Sequence, residues 1–374
     1  MDFTLEEHQQ ELRGLAAELL AREASPERVE AHERGEAPYD VPAWKAMAQA
    51  GLLALAAPES LDGQDFGLLE LAVLLEEAGR RAAPVPVMSC LVLGVLPLTR
   101  WGTPEQQRDL LPAVTEGETL LTAAVHEPGR PHVSAAELAT TARRDGAGFV
   151  LDGAKTRVPY AGSAARVLVP ARVGETGGGV FLVDPATEGV TLTTGYTAHG
   201  HPESGLNLHG VRVGAGALLG GSSSEDGSSV RWLADHAVAA SCALAGGVLS
   251  EALRLTTEHV GTREQFGRPI GAFQGAALQV ADVYIEARAL EAATWSACWR
   301  LATGREHGAA LAVAAHRLTS GAVTALHTCQ HLHGGLGLDV TYPLHRYFAW
   351  TKHLAQACGG ADHQLDRLVG ALAS

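Results

Sequence analysis

Basic residues are scarce in this sequence of 374 residues. Lysine and arginine together number 28 against 42 aspartate and glutamate residues, so the formal net charge is −14. Nucleic acids are bound through clustered Lys and Arg side chains that neutralise phosphates. The composition therefore argues against a nucleic-acid partner.

Cysteine is also sparse, and no CxxC pair occurs. A disulfide framework or a zinc site normally shows an even count or closely spaced pairs, so we expect neither of them and no bound metal. Reduced thiols are typical of a cytoplasmic protein. The five cysteines are Cys90, Cys242, Cys298, Cys329 and Cys358.

Features of exported and membrane proteins are missing as well. The first residues, MDFTLEEHQQEL, are acidic where a signal peptide is basic. We find no apolar run that approaches the roughly 18 residues of a membrane span. We therefore predict a cytoplasmic protein without a membrane partner.

The pattern along the chain predicts an α+β protein of several domains. Leucines recur at helical spacing after Thr4, a plausible helix cap with Glu7 three residues later. From about residue 121, short β-rich runs such as FVLDG and GVFLVD replace this pattern, until helical texture returns after GGSSSEDGSS. We predict an N-terminal helical domain, a β-barrel or sandwich, and a C-terminal four-helix bundle, at 1–120, 121–222 and 223–374.

Two segments of the last third carry a specific resemblance. REQFGRPIGAFQ at 263–274 resembles the arginine-x-x-phenylalanine-glycine and phenylalanine-glutamine signature of acyl-CoA dehydrogenases. QHLHGGLGLDVTYPLHRYFAWTK at 330–352 is similar to the glycine pair and tyrosine-proline-leucine helix of that family. The resemblance implies an acyl-CoA dehydrogenase-like fold, an FAD cofactor and α,β-dehydrogenation of an acyl-CoA thioester. Such enzymes are commonly tetramers of lipid metabolism, so we expect a homo- or hetero-oligomer with another acyl-CoA dehydrogenase-like chain.

The resemblance also implies a cofactor half-site, which in the family lies across a dimer interface and holds the ADP part of a neighbour's FAD. A guanidinium is a planar, permanently charged fork that suits a diphosphate, so Arg263 is a sensible ligand. A glycine pair can leave backbone N–H groups bare beside a cofactor. The implied cofactor-binding residues are Arg263, Phe266, Gln274, Gln330, His331, Gly334 and Gly335.

Each of these residues also has a purely structural interpretation. Arg263 could be a surface cation near a helix end, Phe266 a core residue, and His331 and His333 helix caps or core histidines. The glutamine of the family stands three residues before the first glycine, where this chain has His331, with Gln330 one position earlier. Either a shift of register or a substitution explains this difference.

The catalytic base of the family is missing from its expected places. One subgroup keeps a glutamate shortly after the tyrosine-proline helix, where this chain has Gly359. A second subgroup keeps it early in the first C-terminal helix, where a count without gaps falls on Ala237 and Val238. Asp235 and His236 stand just upstream. An offset of two residues turns a helix by about 200°, so Asp235 is either a displaced base or an exposed acid near a helix start.

The segments expected beside the flavin ring differ too. The threonine-glutamate-proline-glycine loop of the family appears as HEPGRPHVS, which keeps Glu127 but has His126 and His132 where hydroxyls are usual. The tryptophan-isoleucine-threonine segment appears as RVP at 157–159. Pro159 offers neither a hydroxyl nor an N–H to a flavin.

Three functions remain open. An ADP half-site without a base or flavin contacts favours a subunit that completes the FAD site of another acyl-CoA dehydrogenase-like chain, with an electron-transfer flavoprotein as a possible further partner. The second is a self-sufficient flavoenzyme, either a dehydrogenase with an unrecognised base or an oxidase or monooxygenase. The third is a non-enzymatic binding protein, because a fold alone does not fix a function.

Overall fold

A computed structural model describes residues 4–130, 137–221 and 225–373. The chain forms two compact units. The helical unit comprises Met1–Ala31, Ala72–Ala83 and Val238–Ser374, and the sheet unit comprises His32–Leu71 and Pro84–Ala237. These units are defined by packing and are not continuous in sequence. The domain boundaries at residues 120 and 222 therefore stay a prediction.

The first part of the chain is helical, with α1 (Glu7–Glu23), α2 (Pro26–Glu33), α3 (Val41–Gln49), α4 (Leu68–Arg80), a π-helical segment (Val87–Val95), α5 (Leu96–Trp101) and α6 (Pro104–Thr115). α1 starts at a capping box formed by Glu6 and Gln9, in which the Glu6 N–H donates to Gln9 Oε1 at 3.2 Å. The predicted cap at Thr4 is wrong, because this pair already satisfies the first turn.

The middle of the chain forms strands, namely β1 (Leu120–Ala123), β2 (Thr141–Asp145), β3 (Gly148–Pro159), β4 (Ala164–Val173), β5 (Gly177–Val183), β6 (Val190–Tyr196) and β7 (Pro202–Val213). In the described residues they make one seven-stranded sheet in the order β1-β4-β2-β3-β7-β6, with β5 paired to β4. β4 runs parallel to β1 and β2, and the other pairs are antiparallel. Its core contains Val167, Val169 and Phe181, as expected of β-branched and aromatic residues.

The last part of the chain is helical and includes a short hairpin: α7 (Ser228–Thr262), β8 (Glu264–Gln265), β9 (Arg268–Pro269), α8 (Gln274–Ala302), α9 (Gly308–His316), a π-helical segment (Arg317–Ala322), α10 (Val323–His333), a 3₁₀ turn (Gly334–Leu338), α11 (Leu344–Ala357) and α12 (Ala361–Ala373). The sequence-predicted fold class, with helical parts before and after a β part, is confirmed.

Within the helical unit, α4 and α7 approach closely because both carry glycine at the crossing. A β-carbon at Gly247 would lie 1.9 Å from the Glu76 carbonyl oxygen, and one at Gly79 would lie 2.2 Å from that of Leu244. Real β-carbons never come so near, so each position requires glycine. The close crossing fixes the direction in which α7 runs through the helical unit.

Among the described residues, two helices are long and apolar enough to cross a membrane by length and composition alone, which corrects the expectation that no such run exists. One is α7, with 72% of its most apolar stretch buried within the protein, and the other is the continuous helix Gly308–Leu338, with 50% buried. A buried core helix passes the same test. These stretches are easily missed in the sequence because alanine and glycine separate their leucines and valines. Alanine and glycine are uncharged, however, so the stretches stay nearly free of charge.

Candidate cofactor site

The arginine-phenylalanine motif forms a tight hairpin directly after α7. The Arg263 N–H donates to the His259 carbonyl at 2.8 Å and so continues the last turn of the helix. β8 and β9 then pair antiparallel, and the two turn residues between them, Phe266 and Gly267, have φ of +52° and +79°. Two successive positive φ values are the mark of a type I′ hairpin turn.

This hairpin presents a cation and an aromatic ring to the outside. Phe266 is 93% exposed, so its interpretation as a core residue is wrong. The exposed guanidinium of Arg263 makes no ion pair or hydrogen bond within the part of the chain that the structure describes. By contrast, the Arg268 guanidinium lies over the Phe273 ring at 4.0 Å. Arg263 is therefore available to a ligand.

The glycine pair follows the end of α10. Gly334 has φ +60° and ψ −136°, a conformation that only glycine adopts readily. A β-carbon at Gly334 or Gly335 would meet no atom within 4 Å, so the backbone here lies open. The expectation of bare N–H groups needs one correction, since the Gly334 N–H donates to the His331 carbonyl.

The other predicted cofactor residues fall into two groups. Gln274 is the exposed first residue of α8, and His331 is exposed on the last turn of α10. Gln330 is turned inward, where its Nε2 donates to the Gly337 carbonyl at 3.4 Å. The exposed side chain at the family's glutamine position is thus His331, which favours a substitution over a shift of register. The cofactor contacts of all these residues stay a prediction.

A histidine that the sequence argument missed joins the two ends of this region. His259 lies one helical turn before Arg263, and its ring stacks on His333 with centroids 4.4 Å apart and planes inclined by 18°. His333 is 5% exposed and directly precedes Gly334. The stack brings the C-terminal ends of α7 and α10 together, so the arginine hairpin and the glycine pair belong to one site. The spacing of His259 and Arg263 on one helix face was the available signal.

In the sheet unit, a buried ion pair holds the HEPG segment. Lys155 Nζ donates to Glu127 Oε1 at 2.9 Å, and neither side chain is exposed. The Ala139 and Thr140 N–H groups also donate to this carboxylate, at 2.7 and 2.9 Å. Burial opposes ionisation of Glu127, but Lys155 and the two N–H groups lower its pKa to about 2. Burial lowers the pKa of Lys155 to about 8 against the attraction of Glu127. The pair fixes the segment to β3.

The RVP segment on β3 is held by hydrogen bonds at both of its ends. Thr156 N–H donates to the His126 carbonyl at 3.0 Å, and Thr122 Oγ1 donates to the Pro159 carbonyl at 2.8 Å. Arg157 has φ +56°, and its Nε lies 3.8 Å from Glu203 Oε2. The segment therefore offers a flavin ring no hydroxyl and, at Pro159, no N–H. His132 lies outside the described residues.

The places of the missing base are occupied by residues that cannot accept a proton. Ala237 and Val238 are buried, with 7% and 5% exposure. Gly359 and Gly360 have φ of +83° and +85° in the turn between α11 and α12. A residue with a β-carbon costs roughly 1–2 kcal/mol in that conformation. The turn thus disfavours a glutamate at Gly359 as well as lacking one.

The candidate base Asp235 is buried. Asp235 is 6% exposed and His236 is 3% exposed, so the alternative interpretation of Asp235 as an exposed helix-start acid is wrong. His236 stacks on Trp232 with centroids 3.6 Å apart, and its Nδ1 donates to the Trp232 carbonyl at 2.8 Å. This bond leaves Nε2 of the neutral ring as an acceptor. A catalytic role for Asp235 stays a prediction.

Comparison with known sequences decides the family. The sequence model of the acyl-CoA dehydrogenase N-terminal domain matches residues 6–118, and that of the C-terminal domain matches residues 228–372. Acyl-CoA dehydrogenase FadE28 of Mycobacterium tuberculosis is 38% identical, over 88% of this chain and 92% of its own length. FadE27 of the same organism is 36% identical over 100% of this chain and 99% of its own. The chain belongs to the acyl-CoA dehydrogenase family.

Solved structures agree with this assignment. The Tcur3481-Tcur3483 steroid ACAD variant has a TM-score of 0.91 and 40% identity, covering 99% of each chain. The ChsE4-ChsE5 complex from Mycobacterium tuberculosis has a TM-score of 0.92 and 34% identity, covering 100% of this chain and 99% of that one. As an acyl-CoA dehydrogenase family member, the chain is an oxidoreductase whose cofactor is FAD.

The two ends of FAD fit this chain differently. The free guanidinium of Arg263 and the open backbone at Gly334 and Gly335 suit a diphosphate, which needs positive charge and close approach. The RVP segment suits a flavin ring poorly, since Pro159 lacks both kinds of donor. When bound, FAD supplies the hydride acceptor for dehydrogenation of the acyl thioester.

Proposed function

We propose that this chain is the subunit of a heteromeric acyl-CoA dehydrogenase that lacks its own catalytic glutamate and completes the FAD site of a partner chain. One observation carries the proposal: a diphosphate-binding half-site points outward, with Arg263 uncommitted and Phe266 93% exposed. Aromatic side chains are enriched where proteins contact one another, so this hairpin suits a contact with a second chain.

The missing base supports the same proposal. Removal of the α-proton needs a carboxylate placed against the substrate together with a flavin held at the β-carbon. Ala237 and Gly359 supply no carboxylate, and Pro159 offers a flavin neither a hydroxyl nor an N–H. A partner with an intact glutamate would perform the chemistry, while this chain holds and orients the ADP part of the cofactor.

Relatives suggest the form of the assembly and the substrate. Two of the solved structures are described by the names of two chains each, Tcur3481-Tcur3483 and ChsE4-ChsE5. The first is described as a steroid ACAD. We therefore propose a hetero-oligomer, with a tetramer of two chains of each kind as its simplest form, acting on an acyl-CoA whose acyl group is steroid-like. We place this hetero-oligomer in the cytoplasm. The reduced flavin of the hetero-oligomer would pass electrons to an electron-transfer flavoprotein.

An alternative function has its own supporting observation. Asp235 and His236 are buried side by side in α7, directly before the position where one subgroup of the family keeps its glutamate. Buried titratable groups next to a catalytic position are candidates for a general base. If Asp235 removes the α-proton, this chain is a self-sufficient flavoenzyme and needs no second kind of subunit.

The flavin-to-chain ratio separates these functions. The chain is expressed alone and then together with a family member that keeps the glutamate. We expect little flavin and no bleaching by acyl-CoA in the first preparation. The second should contain flavin that bleaches anaerobically with a steroid-like acyl-CoA. Full flavin content and rapid bleaching of the lone chain would overturn the proposal in favour of the self-sufficient enzyme, and no flavin in either preparation would indicate a non-enzymatic binding protein.

A further inference from the structure

The stacked pair His259 and His333 lies directly beside the two parts of the half-site. His259 precedes Arg263 by one turn of the same helix, and His333 is joined by a peptide bond to Gly334. The rings are 4.4 Å apart and nearly parallel, with an angle of 18° between their planes. A charged ligand bound to Arg263 and the glycine pair would therefore change the electrostatic potential at both imidazoles. The inference that follows depends on the proposed FAD half-site.

The hydrogen bonds of His333 can all be made by the neutral ring. Its Nδ1 lies 2.8 Å from the Cys329 carbonyl, which only accepts, so Nδ1 carries the hydrogen. Its Nε2 lies 3.2 Å from the Tyr342 hydroxyl, which can donate to it. Both ring nitrogens are thus satisfied without a second proton. Burial further lowers the pKa of His333, although the carbonyls of Cys329 and Leu255 oppose this.

His259 is the member of the pair that can take a proton. It is half-buried, and within the described stretches of the chain neither of its ring nitrogens has a hydrogen-bond partner. Burial, the neighbouring His333 and the charge of Arg263 lower its pKa, in that order of importance. In the absence of a ligand, His259 is therefore neutral near pH 7.

Other charged groups around the pair are few. From α7 the pair faces Arg263, and from α10 it meets only the uncharged backbone carbonyl of Cys329. From the segment before α11 it faces Tyr342, whose own pKa is raised by burial and by Glu258 and Glu251, with Arg254 opposing. Among the described residues, no carboxylate contributes to the lowered pKa of His259. Arg263 is the cation whose charge a bound diphosphate would neutralise most.

We propose that occupation of the half-site by the diphosphate of FAD is accompanied by uptake of a proton at His259. A diphosphate on Arg263 cancels the positive charge that disfavours a second cation one turn away, and it adds negative charge of its own. Because linkage is reciprocal, a ligand that favours protonation binds more tightly when the proton is present. The stack limits the uptake to one proton, since a charge on His259 repels a charge on His333.

The sign and size of the effect follow from this geometry. Side chains one turn apart lie about 5–6 Å from each other. At an exposed site with a dielectric response near that of water, a unit charge at this distance changes a proton equilibrium by about three- to tenfold. FAD affinity should therefore rise about three- to tenfold as the pH falls from 8 to 5.5, and level off below the pKa of ligand-free His259.

The test is calorimetric titration of FAD into the FAD-free assembly in two buffers of different ionisation enthalpy. FAD is the probe rather than ADP, because the terminal phosphate of ADP itself titrates in this range. We expect a difference between buffers that reports net proton uptake, and a pH-dependent affinity that His259→Asn abolishes. His307→Asn, which removes another histidine of the helical unit, should retain the dependence. If His259→Asn does not fold, the number of protons that the unchanged chain takes up on binding FAD tests the proposal.

Two results overturn the inference and leave the proposed function standing. One is FAD binding with identical apparent heats in both buffers across pH 5.5–8, and the other is an unchanged pH dependence in His259→Asn. A third result, the absence of FAD from every assembly at every pH, overturns the proposed half-site and this inference with it. Flavin content, measured first, distinguishes this third result from the other two.

Discussion

Replacing Arg263 by alanine tests the half-site most directly. The guanidinium is exposed and has no partner within the described residues, so the free energy of unfolding should change by no more than about 0.5 kcal/mol. A charge-assisted contact to a phosphate is worth on the order of 1.5–3 kcal/mol. Its loss should weaken FAD binding by about 10- to 150-fold. Arg263→Lys should recover little, because an ammonium group lacks the planar fork.

The measurement is an FAD titration of the assembled protein by flavin fluorescence, with urea unfolding of each variant in parallel. Arg254→Ala is the matched control, since Arg254 lies on the same helix, is 56% exposed and pairs with Glu251 and Glu258 at 2.7 and 2.9 Å. It should leave FAD affinity unchanged. Unaltered FAD affinity in Arg263→Ala, or an equal loss in Arg254→Ala, would refute a specific diphosphate contact and make the hairpin a structural feature.

Three further outcomes are expected. Lys155→Met leaves the buried carboxylate of Glu127 without its partner, so the free energy of unfolding, measured by urea unfolding, should fall by about 3–5 kcal/mol. This loss of stability should shrink towards low pH, where protonation removes the unpaired charge. A loss that is independent of pH would contradict this reasoning. Phe266→Gly relieves a positive φ and so should not reduce folding stability, yet sedimentation should show weaker assembly if Phe266 lies in an interface. Asp235→Asn should leave anaerobic flavin bleaching by the mixed assembly intact, and its loss would identify Asp235 as the base.

Much of the site was predictable because its chemistry lies in contiguous residues. The hairpin after α7 is encoded by REQFGRP, where the Phe-Gly dipeptide takes the two positive φ values of the turn. The glycine pair after α10 is equally local, since only glycine adopts the backbone at Gly334. The absence of a glutamate at Gly359 is visible in the sequence too. The structure adds that the turn itself favours glycine there.

Contacts between distant segments were not predictable in this way. In the sequence, Glu127 lies in the HEPG segment and Lys155 lies just before the RVP segment, and both segments match the family only loosely. Only strand pairing brings the two residues together as a buried ion pair. Asp235 was open to interpretation as an exposed acid, because its position near a helix start says nothing of what covers it. Its burial, at 6% exposure, comes from tertiary packing that no local pattern records.

The sequence by itself determined the family, the arginine-phenylalanine motif, the glycine pair and the lack of a base in its usual places. Each of these depends on residue type and on backbone conformation within a few neighbours, which a linear pattern records. Only the tertiary structure decided that His259 stacks on His333 and thereby joins the hairpin to the glycine pair. That contact is set by how α7 packs against α10, and helix packing depends on side chains along the whole length of both helices. The spacing of His259 and Arg263 places them on one helix face but does not identify His333 as the partner.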